Sequence, residues 1–251
     1  MSRTTQNCRR LRLEGMEDRT CMSVAVPGEV TAVLHNRVLT VHGSPNADQI
    51  DVTLAIQPGM GVGIKVAGTV YSHFAIDRIV ILGEGGNDQI RVSQSIAKPT
   101  RIVGGAGDDT VLGGGAADHL YGGPGADVLS GGGGNDYLAG GSGDDTLDGG
   151  TGSDELWGQD GNDVLLGVDG ESWDFLIGGR GDDTLIGDGD FAWGNAGRDR
   201  FQLNPGVSVA ASVSIPAPYT GSLIGHGGMW GGEQDFGKED IWDAEPGIGT
   251  R

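Results

Sequence analysis

Aspartate recurs every nine residues through the middle of the chain, at Asp109, Asp118, Asp127, Asp136, Asp145, Asp154 and Asp163, each time at the end of a glycine-rich hexapeptide. After an irregular stretch the series resumes at Asp174, Asp183 and Asp199. Such a set offers oxygen donors alone, because this region holds no Cys and a single His, His119. Oxygen sets that include backbone carbonyls suit Ca²⁺, which takes about six to eight ligands in flexible geometry. They suit zinc and copper poorly, and Mg²⁺ tolerates an all-protein cage less well. Catalysis is not supported by the same residues. Paired acids such as Asp108 with Asp109 and Asp182 with Asp183 would fit a glycosidase, but they recur with the period. There is no HExxH and no GxSxG, and His35, His42, His73, His119 and His226 lack ligand spacing. The sequence therefore reads as a non-enzymatic binder.

The elements that must position these carboxylates follow a nonapeptide rule, G-G-x-G-x-D-x-U-x with U apolar, over residues 104–202. Intact GGxGxD stands in six blocks, supplying Gly104, Gly105 and Gly107; Gly122, Gly123 and Gly125; Gly131, Gly132 and Gly134; Gly140, Gly141 and Gly143; Gly149, Gly150 and Gly152; and Gly178, Gly179 and Gly181. Each block predicts a turn of about six residues and a strand of about three with one inward side chain. Those inward residues are Val111, Leu120, Leu129, Leu138, Leu147, Leu156, Leu165, Leu176, Leu185 and Phe201. Glycines at positions one, two and four allow φ > 0 and let carbonyl oxygens turn inward.

Tandem copies at this period resemble the hemolysin-type calcium-binding (RTX) nonapeptide repeat family, whose nonapeptide is a calcium-binding β-helix repeat. The resemblance implies an all-β fold, a right-handed parallel β-roll (β-solenoid) with two nonapeptides per coil. It places Asp109, Asp127, Asp145 and Asp163 on one edge and Asp118, Asp136 and Asp154 on the other. Each ion would lie between turns eighteen residues apart, held by an Asp from each and by turn carbonyls, with the repeat glycines shaping the cradle. Residues 104–202 hold 20 acids against three bases. About six to eight Ca²⁺ would offset most of that charge.

Several blocks depart from the rule. Ala116 replaces a required glycine, which predicts a distorted or empty site at that turn. Gln159 and Asn195 replace the second glycine, a milder change. Asp174 and Asp190, in the irregular blocks, read as out-of-register ligands.

Residues 36–103 look like degenerate β-rich coils that cap the roll, since Val41 to Val52 aligns with Ile81 to Val92 and sets Asp48 and Asp88 at the carboxylate position. Alternation in Ile50, Val52 and Leu54, and in Val62, Ile64 and Val66, predicts strands. Residues 1–35 read as a basic leader carrying both cysteines, Cys8 and Cys21, either paired or free. Leu11 to Thr20 resembles an N-terminal signature of planctomycete-type surface proteins; the other reading is a disordered tail. No apolar run typical of a cleaved signal follows the arginines. Residues 203–251 read as an irregular C-terminal cap, where Gln234 to Asp243 resembles the acidic, aromatic segment that lies near an uncleaved secretion signal in this family.

The whole chain has 50 glycines in 251 residues and a formal charge of −19, which removes nucleic acid as a partner. Its longest apolar runs, such as Ile79 to Leu82, are far short of the roughly 20 residues of a transmembrane helix. Trp157 sits at an outward ninth position, with Trp173 and Trp193 in the irregular blocks. These aromatic residues are either a platform for a cell-surface glycan or protein, or a surface covered by a flank. The expectation is an extracellular or cell-surface calcium-binding module that folds on Ca²⁺. The alternatives are an adhesin using the aromatic face and the C-terminal part of a secreted hydrolase.

Overall fold

The computed structural model describes residues 29–57, 61–169, 172–188 and 191–203. Most of the basic leader, both cysteines, Asp190 and the C-terminal cap region lie outside them. The N-terminal strands are β1 (Thr31–His35), β2 (Val38–His42), β3 (Gln49–Gln57), β4 (Gly61–Val66), β5 (Thr69–Ser72), β6 (Arg78–Gly85) and β7 (Gln89–Val92). The repeat then forms β8 (Thr100–Ala106), β9 (Thr110–Leu112), β10 (His119–Pro124), β11 (Val128–Gly133), β12 (Tyr137–Ser142), β13 (Thr146–Thr151), β14 (Glu155–Asp160) and β15 (Val164–Gly167). It ends with β16 (Phe175–Arg180), β17 (Thr184–Gly187), β18 (Phe191–Ala196) and β19 (Arg200–Leu203).

Successive strands alternate between two sheets, so each pair of nonapeptides completes one coil of a parallel β-roll. One sheet runs β1-β2-β6-β8-β10-β12-β14-β16-β18 and the other β19-β17-β15-β13-β11-β9-β7-β3-β4-β5. Among the described residues pairing is parallel throughout the roll, and antiparallel only where β1 joins β2 and where β3, β4 and β5 form a meander. Register is set by the apolar position: Leu120 pairs Leu138 and Leu138 pairs Leu156 in one sheet, while Leu129 pairs Leu147 and Leu147 pairs Leu165 in the other. A one-residue slip would turn every one of these side chains outward.

Apart from β9, strands in the repeat are longer than the expected three residues. Pairing resumes at positions two and three of the following turn, as in Gly123 with Gly141 and Pro124 with Ser142. The backbone can do this because position two takes positive φ, 122° at Gly123 and 126° at Gly141, which carries the ladder around the corner.

The core is uneven along the axis. From β8 to β17 each strand buries one large side chain, such as Leu138, Leu147, Leu156 or Leu165. The N-terminal strands bury two, Leu39 with Val41, Ile50 with Val52, Ile79 with Ile81 and Ile90 with Val92. Each such side chain contributes about 1.5–3 kcal/mol, so the N-terminal coils hold about twice the apolar stabilisation per strand. One expected inward residue is corrected. Phe201 keeps the register, opposite Leu185, but is 46% exposed because it stands on the last described strand. The strands expected from alternation form as β3 and β4, and Leu54 and Val62 are exposed where these strands run beyond the stacked coils.

Candidate metal centre

Every repeat aspartate sits where a strand begins, and its carboxylate turns back into the corner. On one edge the Oδ1 atoms form a ladder with the backbone N–H groups of the preceding coil: Asp88 donates to Asp109, Asp109 to Asp127, Asp127 to Asp145 and Asp145 to Asp163, at 2.8–2.9 Å. The series continues from Asp163 to Asp183 and from Asp183 to Asp199. On the other edge Thr100 donates to Asp118, Asp118 to Asp136, Asp136 to Asp154 and Asp154 to Asp174. The two expected edges are thus formed, and Asp174 takes its place in the second despite the longer coil before it.

The second carboxylate oxygen is different. Oδ2 of Asp88, Asp109, Asp127, Asp136, Asp145, Asp154, Asp163 and Asp183 is buried and meets no donor. Buried oxygens without a partner are rare and costly, and here they recur down both edges. Burial raises the carboxyls of Asp136 and Asp145 to about 7 and those of Asp88, Asp109, Asp154, Asp163 and Asp183 to about 6. The backbone N–H on Oδ1 opposes this shift, and neighbouring carboxylates add to it. Stacked without cations, the columns resist ionisation.

The glycines explain the rest of the cradle. A Cβ at position one, as at Gly122 or Gly140, would overlap the Oδ2 of its own turn's aspartate. A Cβ at position two or four would overlap a carbonyl oxygen of the preceding turn: Gly141 meets Gly123 O, and Gly143 meets Gly125 O. Carbonyls of positions two and four therefore face the next turn, and the Oδ2 atoms lie against position one. Among the described residues no three acidic, His or Cys side chains converge on one point, so an ion here needs backbone oxygens as well as carboxylates. Oxygen-only donors, mixed carboxylate and carbonyl, with anionic groups held out of water, fit Ca²⁺.

The predicted positions are not equivalent. Asp118 is fully buried, but its Oδ2 accepts from Gly114 N–H at 2.6 Å. Ala116 cannot readily take the positive φ of position four, and no residue of turn 113–118 has positive φ. Asp48 is closed in the same way by Ser44 N–H. Gln159 and Asn195 do adopt positive φ, 84° and 69°, and keep the glycine-like turn. Asp199 is only half-buried, at the end of the described roll.

A second ladder escaped the sequence reading. At position five, Asn87 and Asp108, Asp108 and Ala126, Asp144 and Asn162, and Asn162 and Asp182 are linked between coils by hydrogen bonds to backbone N–H. The Asn or Asp before the ligand aspartate was the available signal.

Trp157, Trp173 and Trp193 lie on the outer face of the nine-stranded sheet or beside it. Phe175 stacks on Phe191 at 5.2 Å and on Trp193 at 6.2 Å between ring centres, and Trp173 leans on Phe191. Trp157 stands apart, its Nε1 donating to Glu155.

A family model described as the RTX calcium-binding nonapeptide repeat, four copies long, matches residues 103–138, 139–173 and 169–200. Comparison with curated proteins and with solved structures gave no match. The matched segments span β9 to β18 with the repeat aspartates of both ladders, and the parallel coil, the glycine turns and the unpaired oxygens all agree with that description. Over residues 103–200 the chain is thus similar to the RTX calcium-binding nonapeptide repeat and folds as a parallel β-roll.

Proposed function

We propose that the chain is a non-catalytic extracellular or cell-surface module whose roll folds as calcium binds. The observation that carries this reading is the row of buried, unpaired Oδ2 atoms, which makes the ion-free roll costly and the loaded roll favourable. Within the matched repeat, seven spaces between turns have an aspartate on each side and no Asp118. Five run from Asp109 to Asp199 on one edge, and two from Asp136 to Asp174 on the other. These aspartates, with the carbonyls of turn positions two and four, would hold the ions.

Extracellular calcium modules bind at about 10⁻⁴–10⁻³ M. Such affinity leaves the roll unfolded where calcium is scarce and folds it outside the cell, consistent with an RTX repeat and with the absence, among the described residues, of any helix able to cross a membrane. Calorimetric calcium titration of decalcified protein, followed in parallel by circular dichroism, tests the reading. Uptake of six to eight ions with a gain of β signal is expected, and no uptake near millimolar calcium overturns it.

A second reading adds a partner surface, carried by the stacked rings of Trp173, Phe175, Phe191 and Trp193, of which Trp173 is 58% and Phe175 44% exposed. Binding to a glycan array that disappears in Trp173→Ala supports it; an array without signal for the calcium-loaded chain opposes it.

A further inference from the structure

The space between turn 83–88 and turn 104–109 lies at the border of the recognised repeats, with Asp88 outside them. The step across it spans 21 residues rather than 18, so a nine-residue register does not reach it. Its construction nevertheless follows the array. Asp88 is 1% exposed; its Oδ1 accepts from Asp48 N–H at 2.8 Å, and its Oδ2 is buried without a donor. Asp109 faces it across the coil with the same arrangement, Oδ1 on Asp88 N–H and Oδ2 unpaired. Glu84 and Gly86 have positive φ, 79° and 97°, and a Cβ on Gly105 or Gly107 would overlap their carbonyl oxygens.

What surrounds this space differs from every other step of the roll. On the N-terminal side, turn 43–48 is closed by Ser44 N–H on Asp48 Oδ2. On the opposite edge, turn 113–118 is closed by Gly114 N–H on Asp118 Oδ2. Neither turn contains a positive-φ residue or an unpaired carboxylate oxygen. The strands that lead into the space, β2, β3, β6 and β7, each bury two large apolar side chains, and the antiparallel β1 and the β3–β5 meander border them. Elsewhere a wall is backed by a further turn with an unpaired carboxylate oxygen. Here the turn behind Asp88, 43–48, is completed by a hydrogen bond, and the coils on that side by apolar burial.

We propose that this space is a calcium site outside the recognised repeats, pre-assembled on N-terminal coils that fold without calcium, and that it fills first and seeds the roll toward the C-terminus. The proposal rests on the calcium reading above. Order in the ion-free N-terminal coils fixes Asp88 and the Glu84 and Gly86 carbonyls in advance, so the first ion orders only turn 104–109. Each later ion then meets one finished wall.

Hydrogen exchange of the full-length chain, read by mass spectrometry along a calcium titration, tests this. In chelator, peptides covering 38–56 and 78–92 should be protected while those covering 128–187 exchange at the rate of an unfolded chain. Protection should then appear in 100–112 at lower calcium than in 164–187. In Asp88→Asn the amide keeps an Oδ1 acceptor for Asp48 N–H but presents a donor at the ligand position. That variant should retain ion-free protection of 38–56 and need several-fold more calcium to protect 100–112. Asp109→Asn, on the other wall of the same space, is the second variant if Asp88→Asn fails to fold. Full exchange of 38–56 in chelator overturns the proposal, as does an unchanged first step in a folded Asp88→Asn. Calcium that protects no peptide anywhere overturns instead the reading on which it rests.

Discussion

Gly141→Ala is the substitution that tests the cradle most directly. Gly141 holds φ at +126°, a conformation that L side chains rarely adopt, and its Cβ would fall on Gly123 O, well inside the 3.0 Å that real Cβ atoms keep. The obstacle is backbone locked in the ladder, so relief requires moving a coil. Backbone strain of about 1–3 kcal/mol and overpacking of about 1–3 kcal/mol together give a loss of roughly 3–4 kcal/mol. If about six ions bind as the roll folds, that loss is shared among them. The calcium midpoint then rises only about two- to three-fold, by the exponential of the loss divided by six RT. The stoichiometry gives the sharper signal, because the new methyl group occupies the space between Asp127 and Asp145, and at least one ion should be missing in calorimetry. Gly133→Ala is the control. Its Cβ meets only Thr151 Oγ1 at 3.2 Å, and its φ lies outside the positive region. If Gly141→Ala keeps both the midpoint and the ion count of Gly133→Ala, the carbonyl faces between turns are not where calcium binds.

Asp145→Asn and Asp118→Asn should separate ligand from capping carboxylates. The first is expected to lower the ion count in calorimetry. The second is expected to leave the count unchanged and to cost about 1–3 kcal/mol in thermal melts of the loaded protein, because an amide N–H₂ would face Gly114 N–H. Leu138→Ala empties a fully buried position and should lose about 2–5 kcal/mol, seen as a higher calcium requirement with unchanged stoichiometry. Acid should partly replace calcium. Carboxyls that burial raises from 3.8 to about 6 or 7 stabilise the ion-free roll fully below 3.8, and this contribution is lost as pH rises through 6–7. Decalcified protein brought from pH 7.5 to pH 5 should therefore gain β signal in circular dichroism; an unchanged spectrum would show that ionisation of the columns does not set the calcium requirement.

The nonapeptide made much of this legible. Its glycine and aspartate positions announce the turns, and Leu120, Leu138 and Leu156 announce the stacking, because each repeated coil faces the same neighbours. The departure at Ala116 was legible too, since a missing glycine marks the turn that lacks a positive φ. The contact that Asp118 makes there was not legible: the N–H of Gly114 reaching its Oδ2 depends on the path of the whole turn. Phe201 shows the other limit. Its position in the repeat is inward, but burial also needs a coil on its far side, and that is a property of where the stack ends. Strand length was underestimated because positive φ at position two lets pairing persist where a turn was expected.

The unequal spacing of the aspartate ladder has a consequence for how the chain finds its alignment. A perfectly periodic sequence can pair one whole coil out of place and still match every Leu to Leu and every Asp to backbone N–H. Here successive partners along one edge lie 21, 18, 18, 18, 20 and 16 residues apart. A chain displaced by one coil would carry surplus residues at one corner and run short at another. The irregular steps thus act as index marks on an otherwise uniform scale, leaving a single alignment in which all coils close.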